Sequence, residues 1–272
     1  MIGRMGSVVS VHPLLARWAR ALSARAHAAW HTLELGAQIL ALTLSPATFF
    51  HTATRRAALL ALVRGAGPLL PWFTVLSSLV SLVVIRIVVA TATSYGLSQY
   101  ALEVLVRTLV LELIPLFAAL FVALRLALPQ AQRVGQRLSA LQARGGPLPS
   151  RPRLAHALFA PALAAQFAVV LLAALSGVVA LLMTYLTVYG FSPWGWPAYT
   201  HAVGAVFSPG TGLIFALKTI GFALAVAVVP LAAVAQPDAD GRLGPRGDLG
   251  AFARLFSVLL AVEIASLLGN YA

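Results

Sequence analysis

Five apolar blocks, each about as long as a membrane-spanning helix, constrain this chain more than any other feature of its sequence. They lie at Leu69–Thr93, Leu102–Leu126, Leu154–Tyr189, Leu213–Ala235 and Phe252–Ala272. A helix of about 20 apolar residues crosses the ~30 Å hydrocarbon core of a bilayer. Only 10% of the 272 residues are charged, against roughly 25% in a soluble domain. We therefore predict an all-α integral membrane protein with about five transmembrane helices.

The segment before these blocks has a different pattern. Residues 13–43 combine leucines and tryptophans with the basic residues Arg17, Arg20 and Arg25. Such a basic amphipathic helix is typical of the membrane interface, with its apolar face at the acyl boundary and its arginines toward anionic headgroups. A helix packed on the rest of the protein is the alternative. We divide the chain into an N-terminal cytoplasmic and interfacial region, 1–68, and a transmembrane domain, 69–272, with a cytoplasmic loop at 129–153.

Arginine is segregated among the connecting segments. The N-terminal region, Arg133–Arg153 and Arg242–Arg254 are rich in arginine, whereas Ser94–Ala101 and Gly190–Gly212 contain neither lysine nor arginine. Basic loops stay on the cytoplasmic side, so we expect a cytoplasmic N-terminus and a C-terminus outside, in a bacterial inner membrane.

The longer of the two neutral loops is rich in aromatic residues, among them Trp194, Trp196 and Tyr199. These residues fit an aromatic belt at the outer membrane interface. A carbohydrate-binding surface is the alternative for the same residues.

Several classes of function are disfavoured by the sequence. Cysteine is absent, so disulfides, thiolate catalysis and cysteine-bound metals are excluded. The histidines are scattered, without an H-E-x-x-H or G-x-S-x-G pattern, and there is no Walker A sequence, so we predict no metal site, no cofactor on this chain and no ATP site. The net charge of +12 lies mostly in arginines between apolar blocks, where topology and anionic lipids account for it. We therefore expect no nucleic-acid partner.

Ionisable residues inside the apolar blocks are the candidate functional residues, because each costs at least ~2.5 kcal/mol to insert. They are Arg86, Arg107, Glu112, Lys218 and Glu263. Counting ~1.5 Å per residue from the outer helix ends places all of them in the outer half of the membrane. One polar cavity that opens outward and accepts a zwitterionic or anionic headgroup is one interpretation. Internal ion pairs, such as Glu103 with Arg107, together with snorkelling of the shallow residues are the other.

Two stretches resemble a known family. The sequence LELIPLFAALFVALR, Leu111–Arg125, contains the family's acidic residue at Glu112 and its proline at Pro115, and LIFALKTIGFALAV places Lys218 before a hydroxyl residue and a phenylalanine. Both segments resemble the MlaE-type (YrbE) permeases, which are membrane subunits of ABC transporters that work with MCE proteins. The resemblance implies that Glu112 and Lys218, with Arg86, Arg107 and Glu263, line a path for lipid.

One segment departs from the family pattern. After their second span, family members have a coupling helix with acidic residues that docks into the ATPase, whereas this chain has PQAQRVGQRLSALQARGG. Gly135 matches the family, Arg133 stands in place of a glutamate, and Pro129 is expected to interrupt the start of the helix. By resemblance, the ATPase-coupling residues are Gln132, Arg133, Gly135 and Arg137.

The resemblance implies a permease subunit that moves phospholipid or another hydrophobic molecule between the inner membrane and a periplasmic MCE protein. The implied partners are a cytoplasmic P-loop ATPase that binds and hydrolyses ATP, the MCE protein, and a second permease copy or homologue. A non-transporting assembly subunit with the same fold is the alternative. A lipid-modifying membrane enzyme is the third possibility, although no acid–base or metal constellation supports it.

Overall fold

The structure, a computed structural model, describes residues 30, 32–41, 52–145, 151–236, 244 and 248–271. The arginines of the predicted interfacial helix, Arg17, Arg20 and Arg25, lie outside these residues. All regular elements of the described part are helical. They are α1 (32–41), α2 (Thr52–Ala66), α3 (Leu69–Ser94), α4 (98–143), α5 (Arg151–Tyr189), α6 (Trp196–Val206), α7 (Pro209–Ala235) and α8 (Asp248–Tyr271).

Five of these helices are long and apolar enough to cross a membrane, as predicted. The candidate spans are Leu69–Ser94, Tyr100–Ala143, Ala157–Tyr189, Pro209–Ala235 and Leu249–Gly269. A short helix, α1, precedes them, and α2 packs along α5. The fold class expected from the sequence, an all-helical membrane protein with a short N-terminal helix and five spans, is confirmed.

Helix α5 is the centre of the bundle. It contacts α2, α3, α4 and α7, and α7 in turn contacts α8. Many buried residues between these helices are alanines, including Ala118, Ala119, Ala165 and Ala168. Small side chains let membrane helices approach closely, so van der Waals packing replaces the hydrophobic effect as the source of stability. Phe73 and Phe222 fill the larger spaces of this core.

Helix α4 differs from the prediction at its C-terminal end. Pro129 was expected to interrupt the helix, and residues 129–153 were assigned to a loop, but α4 continues to Ala143. Each of its two prolines follows a π-helical stretch: Val106–Leu113 precedes Pro115, and Ala123–Ala127 precedes Pro129. A proline lacks the backbone N–H and its ring clashes with the carbonyl four residues earlier. The wider π-helical turns accommodate both defects, so the helix continues.

The length of α4 carries its last turns, Leu128–Ala143, out of the membrane, and we call this segment the α4 extension. A span of 44 residues is about 66 Å long at ~1.5 Å per residue, more than twice the ~30 Å hydrocarbon core. Gly244, in the segment between α7 and α8, lies next to Ser139 of this extension. The two connecting segments predicted to be cytoplasmic therefore meet at one end of the bundle.

Cysteine labelling tests the predicted orientation, because the chain has no native cysteine. Gln136 and His201 are exposed and lie at opposite ends of the bundle. We expect a maleimide that cannot cross the inner membrane to label His201→Cys and to leave Gln136→Cys unmodified when it is added to cells whose inner membrane is intact. Both should react after the membrane is permeabilised. Labelling of Gln136→Cys in intact cells would show that the orientation is reversed.

Candidate functional site

Lys218 lies at the centre of the candidate site, on α7. The helix starts with a side-chain cap, because Ser208 Oγ accepts a hydrogen bond from the Thr211 backbone N–H at 3.3 Å, and Pro209 occupies the first turn. A proline is favourable there because its missing N–H has no partner within the helix. About two turns further on, Lys218 points into the protein, and its side chain is only 1% exposed.

The ammonium of Lys218 has three partners. It donates hydrogen bonds to a carboxylate oxygen of Glu112 on α4, to Glu263 Oε1 on α8 at 2.9 Å, and to the backbone carbonyl of Leu111 at 3.3 Å. An ammonium has three N–H donors and no acceptor, so the protein uses its full hydrogen-bonding capacity. The site thus joins three helices through one side chain.

Pro115 explains why the Leu111 carbonyl is available. In an α-helix this carbonyl would accept a hydrogen bond from the N–H of residue 115, but a proline has none. Lys218 supplies a donor instead. Neither this contact nor the ring of Phe222, whose centroid lies 5.8 Å from the ammonium, was predicted from the sequence. Two spacings in the sequence could have indicated these contacts. Pro115 follows Leu111 by four residues, and Phe222 follows Lys218 by four residues, so each pair lies on one face of its helix.

The site holds more negative than positive charge when both glutamates are ionised. Two carboxylates share one ammonium, and their side chains are 14% and 13% exposed. Glu263 Oε2 is buried and has no hydrogen-bond partner within the described part of the chain. A buried charge is costly unless it is paired. The excess negative charge therefore suits a site in which a charged ligand can replace one of the present ion-pair partners.

The other predicted site residues have separate positions. Arg107 is half-buried on α4, five residues before Glu112, and its role in a lipid path stays a prediction. Arg86 does not join the cluster, because it lies on the exposed side of α3. Its depth follows from its position along the helix, but the direction of a side chain around the helix depends on how the helices pack. The described part of the chain shows no contact between Arg86 and the Lys218 cluster, and the place of Arg86 in a lipid path stays a prediction.

The predicted coupling residues form two faces of the α4 extension. Gly135 is buried with Ala131 and Leu138, on the side that packs against α7. Arg133 and Arg137, four residues apart, are exposed on the opposite side. The helix therefore presents a basic face that the rest of the described chain leaves uncovered.

The aromatic loop at the other end is partly buried. Trp194 is 89% exposed, which agrees with a role as an interfacial anchor. Tyr199, in contrast, is only 5% exposed. Its hydroxyl donates a hydrogen bond to the Leu181 carbonyl at 2.7 Å. Burial, with a smaller contribution from Tyr189, raises the pKa of Tyr199 to about 12. Tyr199 thus connects α6 to α5 through a hydrogen bond that its neutral hydroxyl donates, and it does not belong to an exposed aromatic belt.

Comparison with family models identifies the chain. The model of the permease MlaE matches residues 58–238, about two thirds of the sequence. The chain belongs to the MlaE permease family. A comparison with curated proteins gave no match. The matched region contains Glu112 and Lys218, and Glu263 lies beyond it.

Membership of the MlaE family agrees with the architecture described above. MlaE permeases are multi-span membrane proteins without an ATPase domain, and this chain has five candidate spans. No group of three histidine, aspartate or glutamate residues in the described segments could hold a metal ion. Lys218, Glu112 and Glu263 are the charged groups that the structure brings into contact at the site.

Proposed function

We propose that this protein is the permease subunit of an ABC-type lipid transporter. It moves phospholipid or another hydrophobic molecule between the inner membrane and a periplasmic MCE protein, and a separate cytoplasmic subunit hydrolyses ATP. The observation that carries the proposal is the buried Lys218 between Glu112 and Glu263, in a chain that belongs to the MlaE family.

Exchange of ionic partners is the proposed chemistry of the site. A lipid phosphate can replace one carboxylate on the Lys218 ammonium, because both are anionic oxygen acceptors. The released carboxylate then accepts a hydrogen bond from the headgroup amine. For a zwitterionic headgroup such as phosphoethanolamine, this exchange leaves the net charge of the site unchanged, so no additional charge is buried.

Apolar side chains next to the charges supply a surface for acyl chains. Leu113, Leu217 and Ile264 are exposed, and each is adjacent in sequence to a residue of the charged cluster. A lipid whose headgroup binds at Lys218 can therefore lay its tails on apolar helix surface. Burial of acyl methylenes contributes about 0.8 kcal/mol each relative to water, so the tails need an apolar path throughout the transfer.

The proposed partners follow from the family. A P-loop ATPase docks on the cytoplasmic extension of α4, through Gln132, Arg133, Gly135 and Arg137, and a second permease copy or homologue completes the membrane unit. The MCE protein accepts or supplies the lipid on the periplasmic side. The basic face at Arg133 favours one alternative, a non-transporting assembly subunit, because it replaces the acidic character of the family's coupling helix.

Reconstitution distinguishes transport from assembly. Purified in mild detergent from its own host, the protein is expected to carry a P-loop ATPase and an MCE protein with it. In liposomes containing fluorescent phosphatidylethanolamine, this complex should transfer lipid to or from the MCE protein with ATP, and not with a non-hydrolysable analogue. A complex with intact ATPase activity and no ATP-dependent transfer would support the assembly role instead.

A further inference from the structure

Arg86 occupies an unusual position on α3. The buried residues of this helix are Phe73, Ser77, Ser81 and Ile85, and at 100° per residue Arg86 lies almost opposite their mean direction. Arg86 is exposed and has no hydrogen bond or ion pair with any residue that the structure describes. It thus faces away from the bundle.

The surface around Arg86 is apolar and regular. Trp72, Leu79, Arg86 and Thr93 recur every seven residues and are all exposed. The exposed Val75 and Val83 lie between them. A seven-residue repeat of this kind keeps one side of a helix against a partner helix, and a single polar residue in the seam selects the partner and its register. We call this row of residues the α3 seam.

Depth argues against simple contact of Arg86 with lipid headgroups. Arg86 lies eight residues before Ser94, about 12 Å along the axis from the nearer end of α3. The Cα–Cβ bond of a helical residue tilts toward the helix N-terminus, which for Arg86 is the direction of the bilayer centre. Snorkelling to the nearer interface would have to reverse that direction. An unpaired arginine at this depth costs about 2.5 kcal/mol or more, so the seam needs a partner.

A second copy of the chain does not satisfy the seam. Copies inserted in the same orientation are related by an axis along the membrane normal, so two α3 seams in contact would place Arg86 beside Arg86. Like charges directly opposed are repulsive. The buried glutamates, Glu112 and Glu263, already hold Lys218. Glu103, an exposed acidic residue of α4, lies five residues after the start of that helix, about 8 Å from its end and so nearer the interface than Arg86. A carboxylate of another protein at the depth of Arg86 meets the requirement.

We propose that the α3 seam binds a transmembrane helix of a partner protein, and that this helix carries an aspartate or glutamate at the depth of Arg86. Charge complementarity selects the partner, and the apolar seam residues supply the packing. In a low-dielectric environment an arginine–carboxylate pair with two parallel hydrogen bonds is strong and directional. The proposal is independent of what the permease transports.

Photocrosslinking from the seam tests the proposal in the native membrane. The photoreactive residue p-benzoylphenylalanine replaces Leu79 or Val83 in the full chain, in its own host, and adducts are identified by mass. We expect a protein adduct whose membrane span contains an aspartate or glutamate. Its yield should fall about tenfold or more in Arg86→Glu, because attraction becomes repulsion. In the Arg86→Glu variant, replacing the partner's acidic residue with lysine should restore the yield of this adduct.

Two variants and one control site make the result specific. Arg86→Leu keeps the seam apolar and should insert normally, yet lose the same adduct, whereas Arg86→Lys should retain much of it. The probe at Val178, an exposed apolar position on α5, should give adducts that none of these variants changes. The proposal is overturned by adducts that are only phospholipid, by dimers of this chain, by a partner span without a carboxylate, by no protein adduct, or by yields unaffected by Arg86→Glu.

Discussion

Replacing Lys218 with methionine is expected to prevent most of the protein from folding in the membrane. Methionine fills a similar volume but leaves the carboxylates of Glu112 and Glu263 together without a cation. Removing one partner of a buried ion pair costs about 3–5 kcal/mol, a large part of the stability of a typical domain. The measurement is the yield of monodisperse protein in mild detergent, followed by thermal unfolding of what is recovered.

The single glutamate variants should behave differently. Glu112→Gln or Glu263→Gln leaves one ammonium with one carboxylate, so each variant should fold nearly as well as the native protein. The double variant Glu112→Gln/Glu263→Gln leaves a lone buried ammonium and should fold poorly. This non-additivity is the signature of residues that share one partner.

The neutral triple variant separates structure from transport. Lys218→Met combined with Glu112→Gln and Glu263→Gln removes every charge from the site, and removal of all charges of a buried cluster is often neutral for stability. We therefore expect recovered assembly but strongly reduced bound phospholipid and lipid transfer, because the phosphate has lost its cation. Normal transfer by this variant would show that the charges serve stability alone and that lipid takes another path.

Reversing the basic face of the α4 extension should uncouple the ATPase. Arg133 and Arg137 are exposed on the same side of this helix, so the partner surface is expected to be acidic. The variant Arg133→Glu/Arg137→Glu replaces two attractions with two repulsions, and charge changes of this kind at an interface cost roughly 2–5 kcal/mol. We expect ATP hydrolysis by the complex to lose its lipid dependence and the ATPase to dissociate more readily on gel filtration.

The control for this prediction lies at the same end of the bundle. Arg254 is an exposed arginine on α8 whose Nε donates a hydrogen bond to the Gly250 carbonyl at 3.2 Å. Arg254→Glu changes the net charge in the same direction without touching the α4 extension. We compare Arg133→Glu/Arg137→Glu with Arg254→Glu. If the two variants show the same complex formation and the same ATP hydrolysis, the basic face of α4 does not contact the ATPase.

The sequence alone determined the features that depend on distance along the chain. Apolar block length predicted all five spans, because the bilayer thickness fixes how many helical residues cross it. The motifs around Glu112 and Lys218 predicted the family that the match over residues 58–238 confirms. The depths of the charged residues follow from a fixed rise per residue, so residues at similar depth could be grouped before their contacts were known.

Only the tertiary structure decided which of those residues meet. Depth does not give the direction in which a side chain points, and that direction is set by how each helix is rotated against its neighbours. This rotation brings Glu112 and Glu263 to Lys218 and turns Arg86 outward. The continuation of α4 through Pro129 likewise depends on π-helical turns that no local propensity indicates. Helix packing, which combines many weak contacts from distant parts of the chain, fixes both features.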